Sequence, residues 1–204
     1  MRTLFASTII ALGLGLASAA GGAPTVGAEA PDFAVKDTAG KLRNLAEFKG
    51  KMLVLEWTNH ECPYVVKHYG SGNMQSLQKA VTSDSNVAWL TVISSAPGTQ
   101  GAVSPVQADE LTKSRGASPT AVLLDPEGKM GQAYGARNTP HMYIITPDSK
   151  LAYMGAIDDK PTARRDDVKG AKNYVLAAMD ELKAGKPVST PRTTAYGCTV
   201  KYAY

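Results

Sequence analysis

The stretch Met52-Leu53-Val54-Leu55-Glu56-Trp57-Thr58-Asn59-His60-Glu61-Cys62-Pro63-Tyr64-Val65-Val66-Lys67-His68-Tyr69 changes character at its middle. Met52 to Trp57 is apolar on both faces, as a strand buried in a helix-covered sheet should be. From Pro63 onward the residues suit a helix. Proline's fixed φ is already helical, and its missing N–H would be unpaired at the first helical position anyway. Cys62 is therefore predicted to be the N-cap at a strand-to-helix turn. There the partial positive charge of unpaired N–H groups favours thiolate over thiol and makes the sulfur a nucleophile. The alternative is a small buried residue that closes the strand.

Working outward, the helix carries Val65, Val66 and Tyr69, and Gly70-Ser71-Gly72 interrupts it. Asn73 is placed to restart it as an N-cap, with Leu77 and Val81 continuing the apolar stripe. Val87 to Ile93 is a second run apolar on both faces, so strand, helix and strand form a parallel βαβ unit. It exits into a Ser/Gly/Pro loop, Ser94 to Gly101, at the carboxyl edge of the sheet where α/β proteins place ligands. Ser104-Pro105-Val106-Gln107 has N-cap, first-turn proline and capping-box glutamine in order, with Gly116 as the stop. Ala121 to Leu124 is a short strand, and Asp125-Pro126 is predicted to open a helix ending at Tyr134-Gly135. Met142 to Thr146 and Leu151 to Gly155 read as a hairpin around Pro147-Asp148-Ser149-Lys150. Ala171, Tyr174, Val175, Ala178, Met179 and Leu182 make a closing helical stripe. Upstream, Val26 to Lys51 reads as two short extended pieces around Asp37-Thr38-Ala39-Gly40 and then a helical turn ending at Gly50.

At the amino end, Arg2 precedes an apolar run, Leu4 to Ala17, that ends in Ala17-Ser18-Ala19, the pattern of a secretory signal peptide. The run is short for a membrane span and no later stretch is long and apolar enough to be one, so no stable membrane span is expected. The expected organisation of the 204 residues is a signal peptide over 1–19, a flexible leader over 20–25, one domain over 26–187, and a tail over 188–204 that carries Cys198. Secretion across an inner membrane into a periplasm is the expected localisation. Of the 22 Lys and Arg only Arg2 would leave with the signal, and the rest are scattered against 18 Asp and Glu, which argues against nucleic-acid binding. Cys62 and Cys198 are the two cysteines, 136 positions apart, too few for a metal framework of several cysteines.

A cysteine at the amino end of the first long helix, a parallel βαβ, Thr139-Pro140 before an apolar hairpin and a closing helix: this order resembles the thioredoxin fold. The resemblance implies an α/β thioredoxin-like fold with a central mixed β-sheet flanked by helices. Val26 to Phe33, Gly40-Lys41 and Leu45 to Lys51 resemble the amino-terminal extension of the redoxin group. Asp125, Gly128, Tyr134-Gly135, Thr139-Pro140 and Gly155 are placed as in its peroxiredoxin-like, AhpC/TSA-type branch, with a single active-site cysteine. It implies that Cys62 is the redox-active residue, that Thr139-Pro140 is a cis-proline loop facing it, and that Thr139, Pro140 and Pro63 contact substrate. The departures are equally specific. Val65 stands where thioredoxins have a resolving cysteine, so an intrahelical disulfide is impossible. Asn59 and Leu55 replace the threonine or serine and the proline that peroxiredoxins place before their cysteine, and Pro140 stands where they have an arginine, with Arg137 nearby.

The resemblance points to a thiol-dependent oxidoreductase acting as a peroxiredoxin-like antioxidant or in thiol-disulfide exchange. Its partners would be a peroxide or a protein disulfide or dithiol, together with an external thiol reductant, and no cofactor is required. Cys198 is the candidate resolving thiol, with Gly197 permitting a tight turn and Lys201 favouring thiolate by its charge. A static disulfide, or two cysteines that never meet, are the competing readings. His60, two residues before Cys62, and His141, directly after Pro140, are candidates for tuning the sulfur. With Cys62 the same two imidazoles give the alternative of copper or zinc binding. A binding module that has lost its chemistry is the third class. His68 is expected on the surface, and Glu61 beside the sulfur would oppose thiolate formation.

Overall fold

The computed structural model describes residues 24–203; the predicted signal peptide lies outside the described residues. The amino-terminal extension forms β1 (Ala34–Asp37), β2 (Leu42–Asn44) and a 3-10 turn, Leu45–Phe48, capped by Asn44. Then come β3 (Met52–Trp57), α1 (Pro63–Gly70), α2 (Asn73–Thr82), β4 (Val87–Ile93), α3 (Pro105–Ser114) and β5 (Ala121–Leu124). A short α4 (Lys129–Ala133) and a two-residue β6 (Asn138–Thr139) lead into the hairpin of β7 (His141–Ile145) and β8 (Leu151–Gly155). The chain closes with α5 (Tyr174–Lys183) and a second two-residue strand, β9 (Cys198–Thr199).

Among the described residues the main sheet has seven strands in the order β2-β1-β5-β4-β3-β7-β8. The segment β3-β4-β5 is parallel, while β7 joins β3 antiparallel, so the sheet is mixed and β3 is interior. Alternation along β3 divides the core. Leu53, Leu55 and Trp57 pack with Phe33, Phe48, Leu90, Tyr134 and Tyr143 on one face, and Val54 packs with Val65, Leu77, Trp89, Ile144 and Val175 on the other. Full burial of side chains of this size stabilises by roughly 1.5–3 kcal/mol each before entropy is counted, so β3 is the strand on which both halves of the core depend.

Glu56 is the exception within that strand. It is completely buried. Its carboxylate accepts hydrogen bonds from Tyr69 Oη (2.8 Å), Trp89 Nε1 (3.0 Å), Thr91 Oγ1 (3.2 Å) and Gln78 Nε2 (3.3 Å). Burial raises its pKa and these four donors oppose the rise. The network ties β3 to β4, α1 and α2.

Three local expectations are corrected. The residue capping α2 is Gly72, in left-handed conformation at φ 76°, and the Asn73 amide is instead within 2.8 Å of His68 Nδ1. The helix after β5 starts at Lys129, because both Asp125 oxygens accept the N–H groups of Met130 and Gly131 from outside the helix. The closing helix starts at Tyr174, where the Asn173 side chain accepts from Leu176 N–H. No helix among the described residues is long and apolar enough to cross a membrane.

Replacing Glu56 by alanine strands four buried donors and is expected to cost on the order of 3–5 kcal/mol, against about 1–2 for Glu56→Gln, which keeps one acceptor. Urea denaturation of the two variants beside the parent measures the difference, and equal losses would contradict this account.

Candidate functional site

Cys62 is the N-cap of α1, with extended backbone at φ −72° and ψ 122°, and Pro63 follows at the first helical position. Its N–H donates to Asn59 O at 3.1 Å, and its carbonyl accepts from Val66 N–H at 2.8 Å. The side chain is wholly buried, and the thiol donates to Thr139 O at 3.1 Å. The Thr139–Pro140 peptide bond is cis. Cys62 and this loop therefore meet although 77 positions separate the bonded residues.

What covers the sulfur is the tail. Strand β9 pairs antiparallel with β6, and the register sets Cys198 opposite Thr139. Cys198 N–H consequently donates to Cys62 Sγ at 3.4 Å, and both cysteines are free thiols. The rest of the tail is secured on either side. Met154 N–H donates to Pro191 O and Thr193 N–H to Met154 O, each at 3.1 Å. Asn138 Nδ2 donates to Gly197 O at 3.0 Å, Val200 N–H to Arg137 O at 2.9 Å, and Ala96 N–H to Lys201 O at 2.7 Å. Tyr202 Oη reaches Ala136 O at 2.6 Å. Gly197 has φ 122°, and a Cβ there would overlap Thr139 O, so only glycine lets the tail cross so near the loop.

The pKa values of the two thiols are shifted in opposite directions. Burial raises the Cys62 pKa, but hydrogen bonds from the Cys198 side chain, from Cys198 N–H and from Val65 N–H outweigh it and hold the group below its ordinary value. Cys198 is pushed up to about 11, first by burial and then by its bond to Cys62 and the charge there, with Lys201 working weakly in the other direction. Lys201 Nζ itself lies 3.0 Å from Thr199 Oγ1. Glu61 is exposed and its carboxylate accepts Gly101 N–H at 2.7 Å, away from the sulfur.

The histidines are not where the sequence suggested. His60 is half-buried against α3, its carbonyl accepting from Arg115 at 3.2 Å. His141 is buried, with Nδ1 3.2 Å from Tyr143 Oη. Neither is among the largest influences on the Cys62 thiol, neither hydrogen-bonds its sulfur, and among the described residues no three His, Cys, Asp or Glu side chains converge as a metal site. The shared-ion reading of Cys62, His60 and His141 thus has no geometric support. His68, expected at the surface, is fully buried between Asn73 and Tyr196, with Nε2 3.1 Å from Tyr196 Oη. Burial pushes it down to about 4, against the nearby Asp158 carboxylate.

Sequence reasoning missed the anchor that explains this burial. Tyr196 Oη donates to Asp158, and the buried Lys67 lies 3.7 Å from the same carboxylate, donates to Lys160 O at 2.7 Å and sits over the Tyr196 ring. The signal available was Lys67 itself, a charged residue on the side of α1 between Val65 and Tyr69.

The sequence model of the AhpC/TSA family matches residues 26–154, from the extension through β8. The chain belongs to the AhpC/TSA family. The match ends before α5 and the tail. No curated protein matches the chain. Among solved structures it is similar to a hypothetical protein from Sinorhizobium meliloti 1021, at 26% identity and a TM-score of 0.75 over 89% of this chain and 97% of that one. An uncharacterized conserved protein from Geobacillus kaustophilus is similar at 25% identity and a TM-score of 0.75, over 88% and 93%. The thioredoxin domain of a thiol-disulfide oxidoreductase from Bacteroides vulgatus shares the fold at 15% identity and a TM-score of 0.50, over 71% and 96%. This AhpC/TSA member is thus a thioredoxin-like α/β protein with a mixed sheet.

Two outcomes test the geometry of the site. Gly197→Ala should push the tail off the loop and raise the alkylation rate of Cys62 in the native protein by about tenfold or more, since a locally opened segment exposes what it covered. Cys198→Ala removes the sulfur donor to Cys62, so the pH midpoint of Cys62 alkylation should move up towards the ordinary thiol value. A midpoint that stays or falls would contradict the assigned cause.

Proposed function

We propose that this AhpC/TSA family member is a thiol-dependent oxidoreductase in which Cys62 and Cys198 cycle between dithiol and disulfide. The observation that carries the reading is the 3.4 Å approach of Cys198 N–H to Cys62 Sγ across 136 positions, made by strand pairing with the cis-proline loop. Family membership and the thioredoxin-like fold support thiol redox chemistry in general. The opposed shifts of the two thiols support the division of labour, with Cys62 as nucleophile and Cys198 as resolver.

With a peroxide as oxidant, Cys62 thiolate attacks one oxygen. The O–O bond breaks, the leaving oxygen takes a proton as water or alcohol, and Cys62 becomes a sulfenic acid. Cys198 thiolate then attacks the Cys62 sulfur, the S–S bond forms, the S–O bond breaks, and the leaving hydroxide takes a proton from solvent as water. An external dithiol reduces that bond by exchange, ending as a disulfide itself. The buried Cys62 and the tail on the loop favour a small oxidant over a protein disulfide in the first step, because a protein backbone would have to displace β9 to reach the loop. Thr139 and Pro140, with Pro63 beside them, form the surface on which either reactant would be oriented. The reading includes export, on the pattern of residues 1–19.

A brief stoichiometric peroxide pulse followed by fast alkylation and intact-mass measurement tests this. The parent should lose about two mass units and both free thiols, whereas Cys198→Ser should gain about sixteen at Cys62 and stop there. Cys62→Ser should consume no peroxide. Thiols that persist in the parent through the pulse would sink the reading.

A further inference from the structure

The approach to the cis-proline loop and the start of the tail enclose a second feature, unrelated to the two cysteines. It is a cleft of about 340 Å³ whose walls include Arg137, Asn138, His141, Arg192, Thr193 and Thr194. Elsewhere in the chain Arg43 and Arg164 each lie within 3.3 Å of a carboxylate. Arg137 and Arg192 do not: among the described residues neither has a carboxylate at ion-pair distance, and neither guanidinium makes a hydrogen bond. Two like charges held on one cleft without a counter-ion repel, and both also bear on His141.

His141 is only 6% exposed, and its ring lines this cleft. Nδ1 accepts the Arg137 backbone N–H at 3.4 Å, while the neighbouring Tyr143 hydroxyl donates to Tyr134 O at 3.0 Å. An Nδ1 that accepts leaves the proton of the neutral ring on Nε2. That N–H has no protein acceptor among the described residues. Burial, Arg137 and Arg192 push the His141 pKa down to about 4, and no carboxylate is among the groups that set it. The cleft therefore offers two planar donor forks and the ring N–H of a mostly buried histidine, none with a protein acceptor among the described residues.

We propose that this cleft binds a phosphoryl group, as inorganic phosphate or a small phosphate ester, between the guanidinium groups of Arg137 and Arg192 with His141 Nε2 at its floor. Guanidinium forks match the oxygen geometry of phosphate and bind it bidentately, and a dianion balances both charges. The cleft is larger than phosphate alone and leaves room for the organic part of an ester. Thr193 Oγ1 is not a free donor to the ligand, being engaged with Tyr153 Oη at 2.6 Å and Ala156 N–H at 2.8 Å, and it fixes the wall that carries Arg192. This site stands independently of the redox reading.

The test titrates the full chain with inorganic phosphate, by calorimetry and by the ring signals of His141, with acetate and chloride at matched ionic strength as the other arms. Saturable one-to-one binding is expected, with movement of the His141 signals, and with affinity falling by about tenfold or more in Arg137→Gln/Arg192→Gln. Arg192→Gln alone, an exposed side chain, is the second variant should the double one fail to fold, and an affinity loss of about fivefold is expected there. Absence of saturation, unchanged affinity in the variants, or equal or tighter binding of acetate would overturn the assignment to a phosphoryl group. A weaker but saturable response to an ester such as glycerol phosphate would still support it, since the residues engaged are the same.

Discussion

The arrangement around Cys62 depends on one backbone pairing, that of Thr139 with Cys198. Without it the N-cap cysteine would face solvent beside a proline loop. With it, a peptide N–H points at the sulfur and a second thiol sits alongside. The pairing is possible because Gly197 has no Cβ to meet Thr139 O and because the cis-proline loop presents an unpaired edge. In β-augmentation an exposed edge takes up an extended peptide from elsewhere, the backbone supplying affinity and the side chains specificity. Here the edge takes up the chain's own tail.

A two-residue strand cannot hold itself in place, and the tail is held from both sides of it. Upstream, Thr193 is engaged with Tyr153 and Ala156, and Tyr196 inserts its hydroxyl into the buried Asp158–Lys67–His68 group. Downstream, Tyr202 packs over Gly128 and Gly131, where a side chain on either glycine would meet its ring. The buried ionic group is costly to desolvate and Asp158 Oδ2 accepts no hydrogen bond, so its strength comes from the bonds that Oδ1 accepts from Tyr196 Oη and Lys160 N–H and from the Lys67 charge 3.7 Å from the carboxylate. His68 supports this as a neutral ring, since burial keeps it uncharged above about pH 4. Acidification below its unfolded value near 6.5 therefore favours the state in which it can take a proton, and the anchor weakens as pH falls towards 4.

The elements legible in the sequence are those whose cause is local. The two-faced apolar runs gave β3 and β4, Pro63 fixed the start of α1, and Ser104 with Gln107 formed the capping box of α3. The failures each have a distant cause. Asn73 has the chemistry of a cap, but its amide is drawn to His68, leaving the turn to Gly72. Asp125 looked like the first residue of a helix, yet it serves the N–H groups five and six positions on while also accepting from Ser94. His68 looked external because the groups that bury it are distant in sequence, Asp158 at 4.0 Å and the tail's Tyr196, 128 positions on. His60 and His141 flank the key residues in sequence, but neighbours along a strand point to opposite faces, so adjacency to Pro140 carries His141 away from the sulfur.

Burial of Cys62 and its proposed chemistry are reconciled by the same tail. A thiolate lowered in pKa and left open would be oxidised beyond the sulfenic stage, where thiols no longer restore it. In the proposed cycle a cover that carries the resolving thiol shortens that exposure, because the group that returns to close the site is the one that forms the disulfide. The cover must still open. Its main-chain bonds each contribute about 1 kcal/mol net, and Tyr196, Cys198 and Val200 pack only partly buried against the two core clusters, so its opening lies below global unfolding. Stability in the tail thus trades directly against access to Cys62: a tighter anchor at Tyr196 or Tyr202 slows entry of the oxidant, and a looser one lengthens the life of the unprotected sulfenic acid.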